Sequence, residues 1–205
     1  MARTKSGTGL FWPVVIVVGL MAVFGANTVI DTGKDLLGIG DEPASEYVTS
    51  PDGHGKTKTC TAAQVLNDRR CGDLKILVID AKRMSFIGRN IQLAWGQGIP
   101  AVLTRNSAKQ ATNRAAACGS FVPKYGGSCD EYAFATTDEG GNGSRIEEVP
   151  LREQRCQGGA IAGGYSKAKI GQGDQFLVVI SNPDKIAPTA FTGDDIAEDQ
   201  AQCLV

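Results

Sequence analysis

The stretch DEYAFATTDEGGNGSRIEEVPLREQRCQGGAIA, residues 130–162, decides the fold. Its first part, residues 130–137, has the alternating pattern of a strand, and a pair of glycines marks the turn that follows. Residues 145–149 predict a second short strand. A proline then stands where a helix can begin, and residues 151–162 predict that helix. The second half of the chain is therefore expected to contain a strand–loop–strand–helix unit.

The rest of the chain mixes both kinds of element. The predicted strands are 74–80, 101–104 and 174–181, and the predicted helices are 87–94 and 107–117. Ser107 is expected to cap the second helix, because its hydroxyl can accept a hydrogen bond from a free amide of the first turn. The predicted fold class is α+β, one small mixed domain.

The N-terminus carries a long uncharged stretch. Arg3 and Lys5 precede 21 uncharged residues, 10–30, and Asp31 follows them. As a helix this stretch is about 31 Å long, enough to cross a bilayer core of about 30 Å. The flanking charges place the N-terminus in the cytoplasm and the rest of the chain outside. Residues 1–30 are therefore expected to be a signal anchor or transmembrane helix. A cleavable signal peptide is the alternative, because small residues offer a usable cleavage site.

Six cysteines follow this stretch, an even number that fits a disulfide framework and an exported domain. They are Cys60, Cys71, Cys118, Cys129, Cys156 and Cys203. The sequence has no CxxC pair and only one histidine, so a zinc site is not expected. Proximity in sequence favours the pairs Cys60–Cys71, Cys118–Cys129 and Cys156–Cys203, although connectivity cannot be deduced from spacing alone.

Composition divides the remaining chain. Residues 31–57 are rich in Gly, Asp, Ser and Pro and predict a flexible linker, and residues 58–205 predict one domain. Residues 51–120 carry 11 Lys and Arg against 4 Asp and Glu, whereas residues 121–205 carry 7 against 13. This asymmetry suits a polyanion bound beside a carboxylate-rich metal site. The alternative is that the two halves neutralise each other across the fold.

Missing residue types exclude several reactions. His54 is the only histidine and lies in the linker, which excludes Ser-His-Asp and Cys-His catalytic arrangements. No GxxxxGK[ST] phosphate-binding loop occurs. Carboxylates and amides remain, and such hard oxygen ligands select Mg²⁺, Mn²⁺ or Ca²⁺.

Two clusters can supply these oxygens. Asp130 and Glu131 are adjacent on a predicted strand and therefore point to opposite faces. Glu153 and Gln157 share one face of the following helix, with Gln154 beside them. Together they can hold one hydrated divalent ion, while another carboxylate takes a proton from water. The alternative is an edge strand with solvated acids and a helix whose dipole favours an early glutamate.

Five short motifs stand in order within residues 74–181. They are GIPAVLTR at 98–105, NRAAAC at 113–118, CDEYAFA at 129–135, GG at 140–141 and EQRCQGG at 153–159. The ordered set resembles the NucA/NucB family of secreted deoxyribonucleases and is more specific than any one of its pieces.

The resemblance implies a nuclease-like domain with a ββα-metal catalytic unit, which cuts DNA with the help of one Mg²⁺ or Mn²⁺ ion. It makes Asp130 the general base, in a place where relatives outside the family use histidine. It puts Gln154 at the metal-binding asparagine position, with Glu153 as its support. The implied catalytic residues are Asp130, Glu131 and Glu153, the implied metal ligands are Gln154 and Glu153, and the implied nucleic-acid-binding residues are Arg114, Arg155 and Gln157.

Two positions depart from the family pattern. Ala133 replaces the usual proline after the aromatic residue, and Gln154 replaces asparagine, which moves the amide oxygen by one methylene. We expect an extracytoplasmic nuclease, membrane-anchored or secreted, that cuts DNA with little sequence preference; the residues themselves do not exclude RNA. One alternative is an impaired nuclease-like module that binds nucleic acid or an envelope partner. Another is an envelope domain with no nucleic-acid role. No particular protein partner is predicted.

Overall fold

The computed structural model describes residues 46–201, which form a mixed α and β fold. The strands are β1 Tyr47–Val48, β2 Arg70–Cys71, β3 Leu74–Asp80, β4 Val102–Thr104, β5 Ser128–Tyr132, β6 Arg145–Val149 and β7 Gln175–Ser181. The α-helices are α1 Pro51–Thr57, α2 Ser85–Gly96, α3 Gln110–Cys118 and α4 Leu151–Lys167. The predicted α+β class is confirmed for this part of the chain.

The larger sheet is built around two parallel strands. β3 and β7 pair from Lys75 opposite Phe176 to Asp80 opposite Ser181. β2 pairs antiparallel with β3, while β1 and β4 pair antiparallel with β7. β7 is a largely buried apolar run and the apolar residues of β3 are buried or half-buried, the pattern of strands covered on both faces. The prediction of both strands is confirmed, since β3 has the expected bounds and β7 lies within them.

Helix α4 packs against β3 with a glycine at the point of contact. A Cβ on Gly164 would lie 2.3 Å from Leu77 Cδ1, so a larger residue here would force the Leu77 side chain to shift. Burial against the apolar strand offsets the low helix propensity of glycine. α4 therefore continues past the predicted end at residue 162 to Lys167.

The smaller sheet is the antiparallel pair β5 and β6, with Asp130 opposite Glu147. The predicted order of strand, loop, strand and helix is confirmed, and β6 has the expected bounds. The first strand, however, ends at Tyr132 and does not reach residue 137. Beyond it the Asn113 amide donates to the carbonyls of Ala135 and Thr137 at 3.0 and 2.8 Å, so a side chain replaces the strand ladder.

Helix α3 lacks the predicted serine cap. A 3₁₀ turn covers Ser107–Lys109, and α3 begins at Gln110 without a side-chain cap. The Ser107 hydroxyl accepts instead from Arg105 Nε at 3.3 Å. The helix was therefore predicted in the correct region, but the capping role of Ser107 was wrong.

Residues 47–57 are ordered, which corrects the end of the predicted linker over 31–57. β1 pairs with β7, and α1 begins after Ser50, whose hydroxyl accepts from the Gly53 amide at 3.1 Å. Pro51 occupies the first turn, where its missing N–H costs nothing. Ser50 and Pro51, which contributed to the linker prediction, are thus the residues that start α1.

Disulfides join Cys60 to Cys71 and Cys118 to Cys129, with Cα–Cα distances of 5.7 and 6.0 Å. Both predicted pairs are confirmed. Cys156 is also disulfide-bonded. Cys203 lies outside the described residues, so the pair Cys156–Cys203 stays a prediction.

The predicted membrane helix at residues 1–30 also lies outside the described part of the chain. Within residues 46–201, none of the helices has the length and apolar character needed to cross a bilayer.

Candidate active site

A cavity of about 500 Å³, the site cavity, opens between α3, the segment that follows β5, and one face of α4. The polar and charged residues in its lining that matter for chemistry are Arg105, Arg114, Glu131, Gln154, Gln157 and Tyr165. Those from α4 recur at spacings that put them on one side of the helix. The cavity therefore combines cations, a carboxylate and amides.

Glu131 and Arg114 form an ion pair on the wall of this cavity. Arg114 also donates to the Cys129 carbonyl at 2.8 Å, which ties α3 to β5. Burial raises the pKa of the Glu131 carboxyl to about 7, although the Arg114 charge acts in the opposite direction. One oxygen of this carboxylate is thus committed to holding an arginine.

Asp130 points to the other side of β5, as expected for adjacent strand residues. It is fully buried, and Asn90 on α2 donates to its Oδ2 at 2.8 Å and to its carbonyl at 3.2 Å. Burial raises the pKa of Asp130 to about 6, while the nearby amides of Asn90 and Gln157 favour the ionised form. Asp130 does not line the site cavity itself, but Gln157 lines the cavity and also lies next to the Asp130 side chain.

A network of buried polar groups holds Asn90 in place. Arg145 donates to Asn90 Oδ1 and, at 2.6 Å, to Glu147 Oε2. Arg89 donates to the other Glu147 oxygen at 3.0 Å. The orientation of Asp130 is therefore set from α2 and β6, through residues that the sequence motifs did not single out.

Three buried polar atoms at this site lack a complete hydrogen bond within residues 46–201: Asp130 Oδ1, Gln154 Oε1 and Gln157 Nε2. The Gln157 amide lies near enough to lower the pKa of Asp130, yet neither atom meets the geometry of a full hydrogen bond. Unsatisfied buried acceptors are costly unless something else binds them. Carboxylate and amide oxygens are the types of ligand that a hard divalent cation prefers.

Glu153 lies elsewhere. It is fully buried and accepts from the amides of Phe86 and Ile87 at 3.0 Å, at the start of α2, where Met84 offers no side-chain cap. Burial raises its pKa to about 8, against the effect of these hydrogen bonds. Glu153 therefore caps α2, and the structure does not bring it to the site cavity with Gln154.

Arg155 also points away from the site cavity. It lines a second cavity of about 600 Å³, the rear cavity, on the opposite face of α4, together with Arg69, Arg83 and Lys167. The site cavity has a different second cation. Arg105 lies over the Tyr165 ring at 4.5 Å and donates to the Ile170 carbonyl. Its place in the motif GIPAVLTR, directly after β4, was the signal that could have identified it.

Cys118, Cys129 and Glu131 each bring one ligand atom to within 4.8 Å of the others. The two cysteines are joined in a disulfide, so neither offers a thiolate to a metal. Only the Glu131 carboxylate of this group is available as a ligand.

Two comparisons with known proteins were informative about this part of the chain. A search of the curated proteins finds no match to this chain. Residues 96–179, the segment that contains most of the site cavity, match the family model of deoxyribonuclease NucA/NucB. This match confirms, over residues 96–179, the resemblance that the five motifs predicted.

Proposed function

We propose that this protein is a divalent-metal-dependent endonuclease that hydrolyses DNA with little sequence preference. The observation that carries the proposal is the site cavity, where two arginines stand beside a carboxylate and an amide oxygen that has no hydrogen-bond partner among residues 46–201. The family match over residues 96–179 supports DNA as the substrate class.

Arg114 and Arg105 are the proposed phosphate contacts. Each guanidinium is held by protein acceptors, Arg114 by Glu131 and Cys129, Arg105 by the Ile170 carbonyl and the Tyr165 ring. A guanidinium fixed in this way keeps further donors for phosphate oxygens and loses little entropy on binding. Contacts to phosphate carry no base information, which agrees with cleavage at many sequences.

Asp130 is the proposed proton acceptor. Glu131 is committed to Arg114, whereas Asp130 keeps Oδ1 without a partner and is oriented by Asn90. A pKa near 6 leaves it ionised at neutral pH and close to the range in which a general base works best. In the proposed reaction Asp130 takes a proton from the water that attacks phosphorus, which requires this water to reach it past Gln157, since Asp130 itself does not line the site cavity.

Gln154 and Glu131 are the proposed ligands of a single Mg²⁺ or Mn²⁺ ion. Both line the site cavity, and Gln154 Oε1 lacks a hydrogen-bond partner. Both oxygens of Glu153 already accept backbone hydrogen bonds, so we leave it out of the ligand set. When bound, such an ion would polarise the phosphate and stabilise the leaving oxygen.

The second candidate function is a nuclease-like module that binds nucleic acid or an envelope partner without cutting. The observation in its favour is Gln154, whose amide oxygen is one methylene farther from the helix than that of asparagine. Metal geometry is sensitive to a displacement of this size.

We also propose that the domain works outside the cytoplasm. The two disulfides support this, because such bonds persist in oxidising compartments. The uncharged stretch at residues 10–30 supports anchoring or export, with the domain released or held at the membrane surface.

Plasmid degradation by the full-length protein tests the function. We expect cleavage in Mg²⁺ or Mn²⁺ and none in EDTA. Salt-sensitive DNA binding without cleavage in either metal would support the binding module instead. Neither binding nor cleavage would reject both candidates.

A further inference from the structure

A third cavity, the loop cavity, adjoins the site cavity and differs from it in chemistry. It measures about 480 Å³ and is lined mainly by small and apolar residues of α3 and of the loop 119–127. The lining includes Ala111, Ala115, Phe121 and Pro123. Arg114 lines both cavities, so its guanidinium stands where a polar cavity meets an apolar one.

The loop wall of this cavity is preformed. The Cys118–Cys129 disulfide closes the loop at its base. Glu148 on β6 accepts from the amides of Lys124, Tyr125 and Gly127, each at 2.8 Å. A carboxylate that binds three backbone donors fixes the path of the chain. The cavity therefore does not have to be assembled when a ligand arrives.

We propose that the loop cavity binds the base and sugar of a nucleotide next to the phosphate held by Arg114. This inference rests on the proposed nuclease function and extends it by a nucleoside subsite. Each nucleotide of a DNA strand joins an anionic phosphate to a sugar and a base with flat apolar faces. In the same way, a polar cavity meets an apolar cavity at Arg114. Phe121 offers an aromatic side chain on which a base can stack, an interaction that tolerates every base.

The test compares two fluorescent hexanucleotides with the same phosphates, hexathymidylate and a fully abasic analogue. Their affinities for the full-length protein are measured by fluorescence anisotropy in EDTA, so that cleavage does not contribute. Stacking of one base predicts about 5- to 150-fold tighter binding of the thymidine ligand. Equal affinities for the two ligands would overturn the proposal.

Two matched variants test whether the preference for bases arises at the loop cavity. Ala115→Leu fills the loop cavity from the exposed face of α3 and should bring the preference for bases close to onefold. Ala116→Leu makes the same change at the next residue, which is exposed and lines neither cavity, and should preserve the preference. Equal effects of the two substitutions would overturn the assignment.

A second pair of variants guards against misfolding. Phe121→Ala should reduce the preference for bases, whereas Val122→Ala, at a side chain that is 82% exposed, should not. Thermal unfolding of each variant shows whether the fold is intact. Failure of the nuclease proposal is distinguishable, because it appears as absent cleavage in Mg²⁺ and Mn²⁺ and leaves the EDTA binding result unchanged.

Discussion

The site cavity and the rear cavity lie on opposite faces of α4, have similar volumes and are both lined by cations, but among residues 46–201 only the site cavity is lined by a buried side-chain oxygen without a hydrogen-bond partner. In the rear cavity the Asp80 carboxylate already accepts from the Lys82 amide and the Asn182 side chain and pairs with Arg83. Gln154 Oε1 in the site cavity has no partner among the described residues, and Asp130 Oδ1, which lies beside Gln157 but does not line the cavity, is also unpaired among them. Cations alone can attract phosphate, but hydrolysis also needs a base and a place for a metal. This difference supports the proposal that the chemistry takes place at the site cavity.

Three consecutive residues of α4 show how the two faces separate. Glu153 caps α2, Gln154 lines the site cavity and Arg155 lines the rear cavity. Successive residues of a helix are about 100° apart, so neighbours in a motif face different surroundings. A motif that looks like one functional unit in sequence therefore divides among three surfaces.

The largest effect is expected at Asp130. Asp130→Asn keeps size and shape but cannot accept a proton at neutral pH, so cleavage should fall by about 10²–10⁴-fold. DNA affinity should change little, because the phosphate contacts are arginines. Single-turnover cleavage of a labelled duplex in saturating Mn²⁺ measures the first quantity, and anisotropy in EDTA measures the second. Parental cleavage rates in this variant would remove Asp130 from the mechanism.

A smaller effect is expected at Gln154. Gln154→Ala removes the oxygen proposed as a metal ligand and should raise the half-saturating Mn²⁺ concentration by about 10-fold or more, the size of effect typical for the loss of a group that supports a metal site. Gln154→Asn restores the amide reach of the family and should lower it. Cleavage rates measured over a Mn²⁺ titration test both variants. An unchanged midpoint in the two variants would place the metal elsewhere.

The substitution Glu153→Ala should act on stability more than on chemistry. It removes the acceptor for the Phe86 and Ile87 amides and should cost about 1–3 kcal/mol in the free energy of unfolding. Cleavage per folded molecule should change less than about threefold, because Glu153 does not line the site cavity. Urea unfolding followed by tryptophan fluorescence gives the first value. A 100-fold loss of cleavage in fully folded Glu153→Ala would return Glu153 to the catalytic set.

The stability of the fold should also depend on pH, through three buried carboxyl groups. Burial raises the pKa values of Asp130, Glu131 and Glu153 from 3.8 and 4.5 to about 6, 7 and 8. Between the ordinary and the raised values the folded protein binds more protons than the unfolded chain. The free energy of unfolding should therefore fall as pH rises from about 4.5 to 8. Urea unfolding at intervals of pH measures it, and a stability that increases over this range would contradict the pKa shifts.

Local patterns predicted the elements well, because periodicity reports burial directly. The apolar run of β3 gave the correct bounds, and β6 was also predicted with the correct bounds. The end of β5 could not be predicted, since it depends on Asn113, a side chain contributed by a separate helix. The linker prediction failed for residues 47–57 because the pairing partner of β1 is β7, at the far end of the domain.

The sequence predicted those features of the site that depend only on residues adjacent in the chain. The opposite directions of Asp130 and Glu131 follow from strand geometry alone. Which residues of α4 face Asp130 and Glu131 does not follow from strand geometry, because the rotation of α4 is set by its packing on β3 at Gly164. The role of Asn90 could not be predicted for the same reason, because it depends on α2 packing against β5, which no local pattern reveals.

The central claim is that DNA is cleaved on the site-cavity face of α4, and a pair of arginines tests it most directly. The measurement is kcat/KM for plasmid cleavage by Arg114→Gln and Arg155→Gln, which remove one guanidinium from each face. Loss of a charged hydrogen bond to phosphate corresponds to about 1.5–3 kcal/mol, so Arg114→Gln should lower kcat/KM by about 10- to 150-fold. Arg155→Gln should stay within about twofold of the parent, as expected for a surface change away from the site. A large loss in Arg155→Gln with little change in Arg114→Gln would contradict the account and assign the reaction to the rear cavity.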